Sequence, residues 1–521
     1  MTLTPTSATA CAALPPEGAA ACLERPGAGA MQDQHVLILG LGTSGLAMAR
    51  WCTGHGAQVT VADTRDAPPG LQALRDELPQ IKFISGPFSA ALVEGTSINR
   101  VLRSPGLSPT EIAPVSIAAR AINTRVEGEL DLFSEALMAL KQSQGYAPAV
   151  LAITGTNGKT TVTALTGELI ERSHKTVAMA GNIGPSLLDT LAAHTVANTL
   201  PQVWVLELSS FQLDGVQGFE PTAATVLNIS EDHLDWHGDM VSYEQAKARI
   251  FGSTGLMLLN REDPQVMAML PPVVKLKGGK QQQRDHTSFG GDLPRRPGDF
   301  GIEVVNGMAW LVRALEADET QRLKKGELAE IHFQRLMPAD ALRIRGRHNA
   351  VNALAALALA HAAGCAIGPM LYGLRDYPGE PHRVQSVAVL QDVEYFDDSK
   401  GTNVGATVAA LNGLGADRKI VLILGGEGKG QNFAPLAKPV SLFTRAVVLI
   451  GRDAPLIRAA LALTDVPLVE ATSMHDAVTQ SAARAHAGDA VLLSPACASF
   501  DMFDHYEHRA HVFVQAVEAL S

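Results

Sequence analysis

The sequence predicts an α/β protein of three domains, each a mainly parallel sheet flanked by helices. Three observations predict it. Short apolar runs rich in Val, Ile and Leu alternate with helical stretches from Gln34 onward, the pattern of parallel strands joined by crossover helices. Two of those runs, His35–Leu39 and Ala149–Ile153, lead directly into glycine-rich turns. The chain, at 521 residues, is also longer than one hydrophobic core accommodates.

Composition excludes several classes. Lys and Arg number 42 against 53 Asp and Glu, a net charge of −11. A nucleic-acid partner calls for a basic footprint, so none is expected, and any anionic ligand must meet its cations locally. The five cysteines (Cys11, Cys22, Cys52, Cys365, Cys497) are scattered, odd in number and form no C-x-x-C pair. They suit a reducing cytoplasm. No apolar stretch is long enough to span a bilayer.

Residues 1–33 read as a disordered tail. Positions 1–30 are rich in Ala, Pro, Gly and Thr and lack the basic start and apolar core of a signal peptide. The first domain then runs over 34–147. Its strand His35–Leu39 meets Gly40-Leu-Gly42-Thr43-Ser44-Gly45, a helical stretch follows, and a second strand ends at Asp63. This matches the G-x-G-x-x-G fingerprint with an acid at ribose distance. NAD and a nucleotide-sugar are equally compatible with it.

The second domain, 148–378, opens on the strand Ala149–Ile153 and the loop Gly155-Thr156-Asn157-Gly158-Lys159-Thr160-Thr161. Backbone N–H groups at a helix start bind phosphate oxygens, the lysine reaches the terminal phosphates, and a hydroxyl reaches Mg²⁺. The loop is shorter than the full P-loop pattern, which wants glycine where Ile153 stands; an ordinary glycine turn is the alternative. Glu207 ends the apolar run from Val203, a position suited to Mg²⁺ or to a buried ion pair. Asn228 to His237 packs Glu231, Asp232, His233 and Asp235 into one loop, either a second metal or phosphate contact or simply a polar loop. Lys247 looks like any surface lysine of a helix. Lys275 to Phe300 is polar, with a Gln run, and reads as a surface insertion.

The third domain, 379–521, follows a hinge at Pro378-Gly379-Glu380-Pro381 and carries apolar runs at Lys419–Leu424, Ala446–Ile450 and Ala490–Leu493. His505, His508 and His511 recur at helical spacing; a solvated helix face is the simpler reading than a metal site. Cys497 reads as a packing residue.

Taken together, Gly155 to Thr161, Gly181-Asn182-Ile183-Gly184, Glu207 to Gln212, Glu231 to Asp235 and Gly346-Arg-His-Asn349-Ala-Val-Asn352 resemble the ATP-dependent Mur ligases of peptidoglycan synthesis. The resemblance runs from about residue 34 to the end, with the motifs in the family's order. Asp398 to Asn403, Leu424 to Lys429 and Leu493 to Asp501 resemble the branch that adds D-glutamate.

The resemblance implies an N-terminal Rossmann-like domain, a central P-loop-type ATPase and a C-terminal Rossmann-like domain. It implies ligation of D-glutamate to UDP-N-acetylmuramoyl-L-alanine through an acyl phosphate, releasing ADP and phosphate. By that likeness Gly155 to Thr161, Asn349, Asn352, Arg383, Asp398 and Lys400 serve ATP. Thr160, Glu207, His233 and Lys247, the last as a carbamate, hold two Mg²⁺ ions, and Lys159, His233 and Lys247 are the catalytic set. Thr43, Ser44, Asp63, Thr64, Arg65, Ser104 and Asn182 face the UDP-sugar, so the first glycine turn serves uridine rather than NAD. Thr402, Lys429, Ser499, Phe500 and Tyr506 face D-glutamate. His348 is expected to be a packed helix residue. A cytoplasmic monomer that closes its three domains around its ligands is expected. Folylpolyglutamate synthase shares the phosphate loop and also adds glutamate, but lacks the first domain. An NAD-dependent oxidoreductase leaves the phosphate loop unused, and an ATP-gated binding protein leaves the set Lys247, Lys400 and Lys429 unexplained.

Overall fold

The computed structural model describes residues 31–275, 281–317, 330–415 and 418–520. The expected tail up to residue 30, with Cys11 and Cys22, lies outside them. Met31, assigned to that tail from sequence, is instead buried and donates its N–H to the His55 carbonyl at 3.2 Å.

The first sheet contains β1 (His35–Leu39), β2 (Gln58–Asp63), β3 (Lys82–Ser85), β4 (Arg100–Arg103) and β5 (Val126–Glu127), in the order β3-β2-β1-β4-β5, all parallel. The strand order reverses between β1 and β4, the crevice where open α/β sheets bind ligands. The Gly40–Gly45 turn and Ser104 meet there: the Ser104 hydroxyl donates to the Gly40 carbonyl at 2.8 Å.

The central sheet contains β6 (Ala149–Thr154), β7 (Val177–Gly181), β8 (Val203–Glu207), β9 (Ala223–Val226), β10 (Leu256–Asn260) and an edge strand at His286–Phe289. Its order is edge strand-β10-β9-β6-β8-β7, again parallel, with β6 at the reversal. A short antiparallel hairpin, β11 (Val274–Lys275) and β12 (Gln281–Gln282), precedes that edge strand, β13. A three-stranded antiparallel sheet of β14 (Phe300–Val305), β15 (Met308–Glu316) and β16 (Ile331–Pro338) follows.

The expected surface insertion at Lys275–Phe300 is therefore corrected, apart from 276–280, which lie outside the described residues. Phe289 and Phe300 are buried. The polar residues that disguised the segment bind backbone: Asp299 accepts from the Ser288 N–H at 2.8 Å, and Arg296 donates to the His286 carbonyl at 3.0 Å.

The third sheet contains β17 (Gln385–Leu390), β18 (Val393–Asp397), β19 (Ile420–Gly425), β20 (Thr444–Ile450), β21 (Leu468–Glu470) and β22 (Ala490–Leu493). Its order is β17-β18-β22-β19-β20-β21, parallel except for β17 at the edge.

The cores are not divided as the domains are. One apolar cluster joins the first domain to one face of the central sheet, through the helix Glu129–Gln144. Phe133 of that helix meets Trp204 of β8 edge-on, with ring centroids 5.2 Å apart. The third domain has two clusters of its own, one on each face of its sheet. The three described cysteines are free and buried, and burial raises the Cys52 and Cys497 thiols to about 12, so Cys497 is a packing residue.

Because Phe133 belongs to a core shared by two domains, Phe133→Ala is expected to cost about 3–4 kcal/mol. The first and central domains should then lose stability together, with the third unaffected. Urea unfolding followed by domain-resolved proteolysis tests this. Loss of the first domain alone would contradict a shared core.

Candidate functional site

The phosphate loop is built by close packing against the loop that follows β9. Gly155 has φ +147°, and a Cβ there would lie 3.0 Å from the Leu227 Cβ. Gly158, at φ +86°, caps the helix Lys159–Arg172. The two loops bind each other reciprocally. The Thr156 N–H donates to the Asn228 carbonyl at 2.9 Å, the Asn157 N–H donates to Asn228 Oδ1 at 2.8 Å, and Asn228 Nδ2 donates to the Asn157 carbonyl at 3.0 Å. The helix has no acidic residue in its first turn, so its positive end is left for an anion.

Cations gather around this helix start. Lys159 Nζ curls back to the Gly155 and Thr156 carbonyls at 2.8 and 2.9 Å. Lys247, which looked like a surface residue, is buried on the helix Met240–Ala248. Its Nζ donates to the Gly155 carbonyl at 3.0 Å and sits 4.7 Å from the Tyr243 ring centroid. Desolvation and the nearby Lys159 ammonium hold the Lys247 amine well below the usual lysine range. Lys159 is lowered too, by desolvation, against the pull of Glu207. Arg383 of the third domain reaches over and donates to Thr160 Oγ1 at 3.1 Å. Asn157 and Asn403 exchange side-chain amide hydrogen bonds at 3.1 and 3.3 Å across the same junction.

Glu207 stands among these cations, buried at the carboxyl end of β8. Its Oε1 accepts from Asn182 Nδ2 at 2.9 Å, while Oε2 is buried without a hydrogen-bond partner. An orphaned carboxylate oxygen beside a phosphate-type loop fits a hard cation. Among the described residues no three His, Cys, Asp or Glu converge, so the protein alone makes no closed metal cage. That suits Mg²⁺, which keeps waters and phosphate oxygens in its shell. His233, in a left-handed backbone conformation at φ +55°, stands on the loop after β9 with its ring 4.7 Å from that of Phe211. Partial burial and the Lys159 and Lys247 charges lower its pKa, although Asp232 opposes them.

A cavity of about 310 Å³ adjoins the phosphate loop. Asn352 lines it; Asn349 does not, because its amide donates to the Arg345 carbonyl at 2.8 Å and accepts from Asn352 at 3.1 Å. Asn349 thus orients Asn352. His348 does more than pack: its ring lies against Gly346 and Gly413 and also lines the cavity, and desolvation lowers it to about 4.

In the first domain Asp63 is fully occupied. It accepts from the Leu41 N–H at 2.8 Å and from Arg65 Nε and Nη2 at 2.8 Å each. Burial pushes its carboxyl up, but these bonds hold it below the usual range. It presents Arg65, half exposed, beside Thr64; Thr43 and Ser44 stand at the helix start across the crevice.

Three loops of the third domain hold the expected amino-acid residues. Thr402, Lys429 and Phe500 are exposed, and Ser499 is buried. Two residues that sequence reading missed bind these loops together. Gln431 Nε2 donates to the Gly428 and Ala496 carbonyls at 3.0 and 2.8 Å, and its Oε1 accepts from the Val404 N–H at 2.9 Å. Arg509, buried, donates to Ser399 Oγ, the Ser399 carbonyl and the Cys497 carbonyl at 3.0, 2.8 and 3.0 Å. The signal for Arg509 is its place on the apolar stripe with Ala510, Phe513 and Ala516. Asp398 is buried, accepts from Ser494 Oγ at 2.7 Å, and is pushed up to about 7 by desolvation. Lys400 Nζ lies 5.6 Å from the Tyr506 ring centroid. His505 accepts from the His508 N–H and caps its helix, and both histidines are exposed, as a solvated face requires.

Residues 34–126 match the MurD-like N-terminal domain of Mur ligases, 153–360 the Mur ligase middle domain, and 382–497 the Mur ligase glutamate ligase domain. The chain is 71% identical over 492 residues to the UDP-N-acetylmuramoylalanine–D-glutamate ligase of Albidiferax ferrireducens, covering 94% of this chain and 97% of that one. The chain belongs to the Mur ligase family. The protein of the same name from Polaromonas sp. is 58% identical, with 94% and 98% covered. Among solved structures, this Mur ligase resembles in fold the MurF ligase of Thermotoga maritima in complex with ADP, at a TM-score of 0.55 and 14% identity, covering 94% and 96%. The UDP-N-acetylmuramate-alanine ligase MurC of the same organism gives 0.51 and 18%, covering 94% and 100%. The three-domain α/β fold expected from sequence is the fold of this family.

Asp398 makes the Mur ligase's stability depend on pH. Its folded pKa near 7 lies above the ordinary carboxylate value, so the folded state keeps a proton that the unfolded chain releases. Its contribution is therefore most favourable in acid and is lost as pH rises from about 4 to about 7, by up to about 4 kcal/mol. Asp398→Asn should flatten the stability curve over that window in denaturant titrations. An equally steep curve in the variant would sink this assignment.

Proposed function

We infer that this Mur ligase joins D-glutamate to UDP-N-acetylmuramoyl-L-alanine with ATP, forming an amide bond and releasing ADP and phosphate. One observation carries the reading: Lys159, Lys247, Arg383 and Lys400 crowd the start of the phosphate-loop helix around the buried Glu207. Such a cluster suits a reaction in which several anions meet. The substrate carboxylate oxygen attacks the γ-phosphorus and ADP leaves. The amine nitrogen of D-glutamate then attacks the acyl carbon, phosphate leaves, and the nitrogen loses a proton.

The loop N–H groups from Gly155 to Thr161 and the Lys159 ammonium hold the β- and γ-phosphates. Asn352, oriented by Asn349, faces the adenine, and Arg383, Asp398 and Lys400 bring the third domain to the nucleotide. Glu207 and Thr160 would hold Mg²⁺, which when bound neutralises phosphate charge. His233 and Lys247 would form the second metal position. Lys247 serves there as a carbamate: its neutral amine takes up CO₂ and releases a proton, giving an anionic oxygen donor. Its burial between Thr154 and Gly155, which favours the neutral amine, supports this reading.

Thr43, Ser44, Thr64, Arg65 and Ser104 receive the uridine nucleotide, with Asp63 setting the position of Arg65. Asn182, held by Glu207, meets the substrate near its reacting carboxyl. Thr402, Lys429, Ser499, the Phe500 N–H and Tyr506 receive the carboxylates of D-glutamate. No helix among the described residues is long and apolar enough to cross a membrane, and their buried free thiols fit a reducing cytoplasm.

Phosphate release from ATP and Mg²⁺ with UDP-N-acetylmuramoyl-L-alanine tests the activity when D-glutamate, L-glutamate, L-lysine or meso-diaminopimelate is added in turn. Turnover is expected only with D-glutamate, giving a product heavier by one glutamyl residue. Turnover with another acceptor would reassign the substrate, and none with any acceptor would refute the reading. For Lys247, Lys247→Ala should lose at least about 100-fold in kcat, and short-chain carboxylates should restore part of it. A variant that no carboxylate rescues, with a wild type indifferent to bicarbonate, would remove the carbamate.

A further inference from the structure

Away from the phosphate loop, the helices Thr43–Gly54, Glu129–Gln144 and Leu187–Val196 enclose a cavity of about 830 Å³ between the first and central domains. Small-molecule sites commonly measure ~300–1,000 Å³. No residue assigned above to ATP, metal, UDP-sugar or D-glutamate lines it.

The floor is apolar, formed by Ala47, Leu132, Ala136, Leu140, Leu188 and Ala192. Trp51 adds an aromatic wall, its ring 4.2 Å from that of His55 between centroids. The rim carries Arg50 and Arg100 against Glu77, Glu135 and Asp189, two positive charges and three negative.

Both guanidinium groups are already engaged. Arg50 is paired with Glu77 at 2.6 Å and Asp189 at 3.2 Å; Arg100 is paired with Glu127 at 2.6 Å and Glu135 at 2.8 Å. An anion approaching either one meets the carboxylates that already hold it, and Arg100 is only 13% exposed. Glu77 and Glu135 each meet an arginine through both oxygens, yet their side chains stay 43% and 48% exposed, so each oxygen keeps a further lone pair for a second donor. An apolar floor, an indole and a net negative rim together select one kind of charge.

We propose that this cavity is a binding site for a hydrophobic organic cation, an ammonium group on an apolar body. The apolar part lies on the alanine and leucine floor, and the charge is directed to Trp51 and the rim carboxylates. The site stands independently of the ligase reading, since it uses none of that machinery.

The full chain is titrated with dansylcadaverine, an apolar fluorophore bearing a primary ammonium. Neutral N-hexyl dansylamide and anionic dansyl-aminohexanoate are the controls. Saturable one-site binding is expected, with the cation about tenfold tighter than the anion. Glu135→Gln, on a half-exposed side chain, should weaken the cation about threefold and leave the neutral dye unchanged. Ala192→Trp should cover part of the apolar floor and weaken the cation at least about tenfold. Saturating ATP and UDP-N-acetylmuramoyl-L-alanine should leave the cation in place. Equal affinity for the anion, or an unweakened cation in Glu135→Gln, would overturn the proposal. So would undiminished binding to a folded Ala192→Trp. Displacement by the substrates would put the dye in the catalytic cleft and overturn it equally.

Discussion

The buried Glu207 carboxylate, set among several cations, is the constraint on which the rest of the molecule turns. Glu207 sits at the end of β8 with one oxygen held by Asn182 and the other unpartnered, while Lys159, Lys247, Arg383 and Lys400 lie around it. Glu207 shares the balancing of that charge with Asp232, which faces the two lysines, and with Asp398, which faces Arg383. The crowding of cations is tolerable also because the lysines donate to loop carbonyls and because burial shifts the amines toward neutrality. It also accounts for an anionic chain handling anionic ligands: the positive charge is confined to one crevice, inside a protein whose net charge is −11.

The third domain completes this crevice from outside. Arg383 touches Thr160, and Asn403 pairs with Asn157, so its contacts with the phosphate loop are polar and few. The first two domains meet through a continuous apolar core instead. The helix Arg347–Ala362 also packs on Val404–Leu414, but the central and third domains share no apolar cluster among the described residues, so movement that opens the site costs less at the third domain than at the first.

Legibility in the sequence followed the physics of each residue. Gly155 and Gly158 were readable because their requirement is a backbone one: positive φ and no room for a Cβ. Glu207 was readable because a charge ending an apolar run marks the carboxyl end of a buried strand. Lys247 was not, since its helix Met240–Ala248 is polar on average and only packing against the loop buries it. The resemblance found it; periodicity did not. Arg509 and Gln431 were missed because their partners are carbonyls on loops far away in sequence. The edge strand β13 was hidden by side chains that serve neighbouring backbone rather than solvent.

The helix Glu129–Gln144 carries one further implication. The linker after it looks like a seam at which the chain divides into separate parts. The helix nonetheless turns Leu132, Phe133 and Ala136 into the joint core with Trp204 and Leu188. A cut there would leave two fragments with exposed apolar flanks that seek each other or aggregate. As a matter of modularity, the molecule has two separable pieces rather than three. Recombination or truncation that respects the hydrophobic joint would keep the sugar-nucleotide and phosphate-binding domains together, and exchange only the one that receives the amino acid.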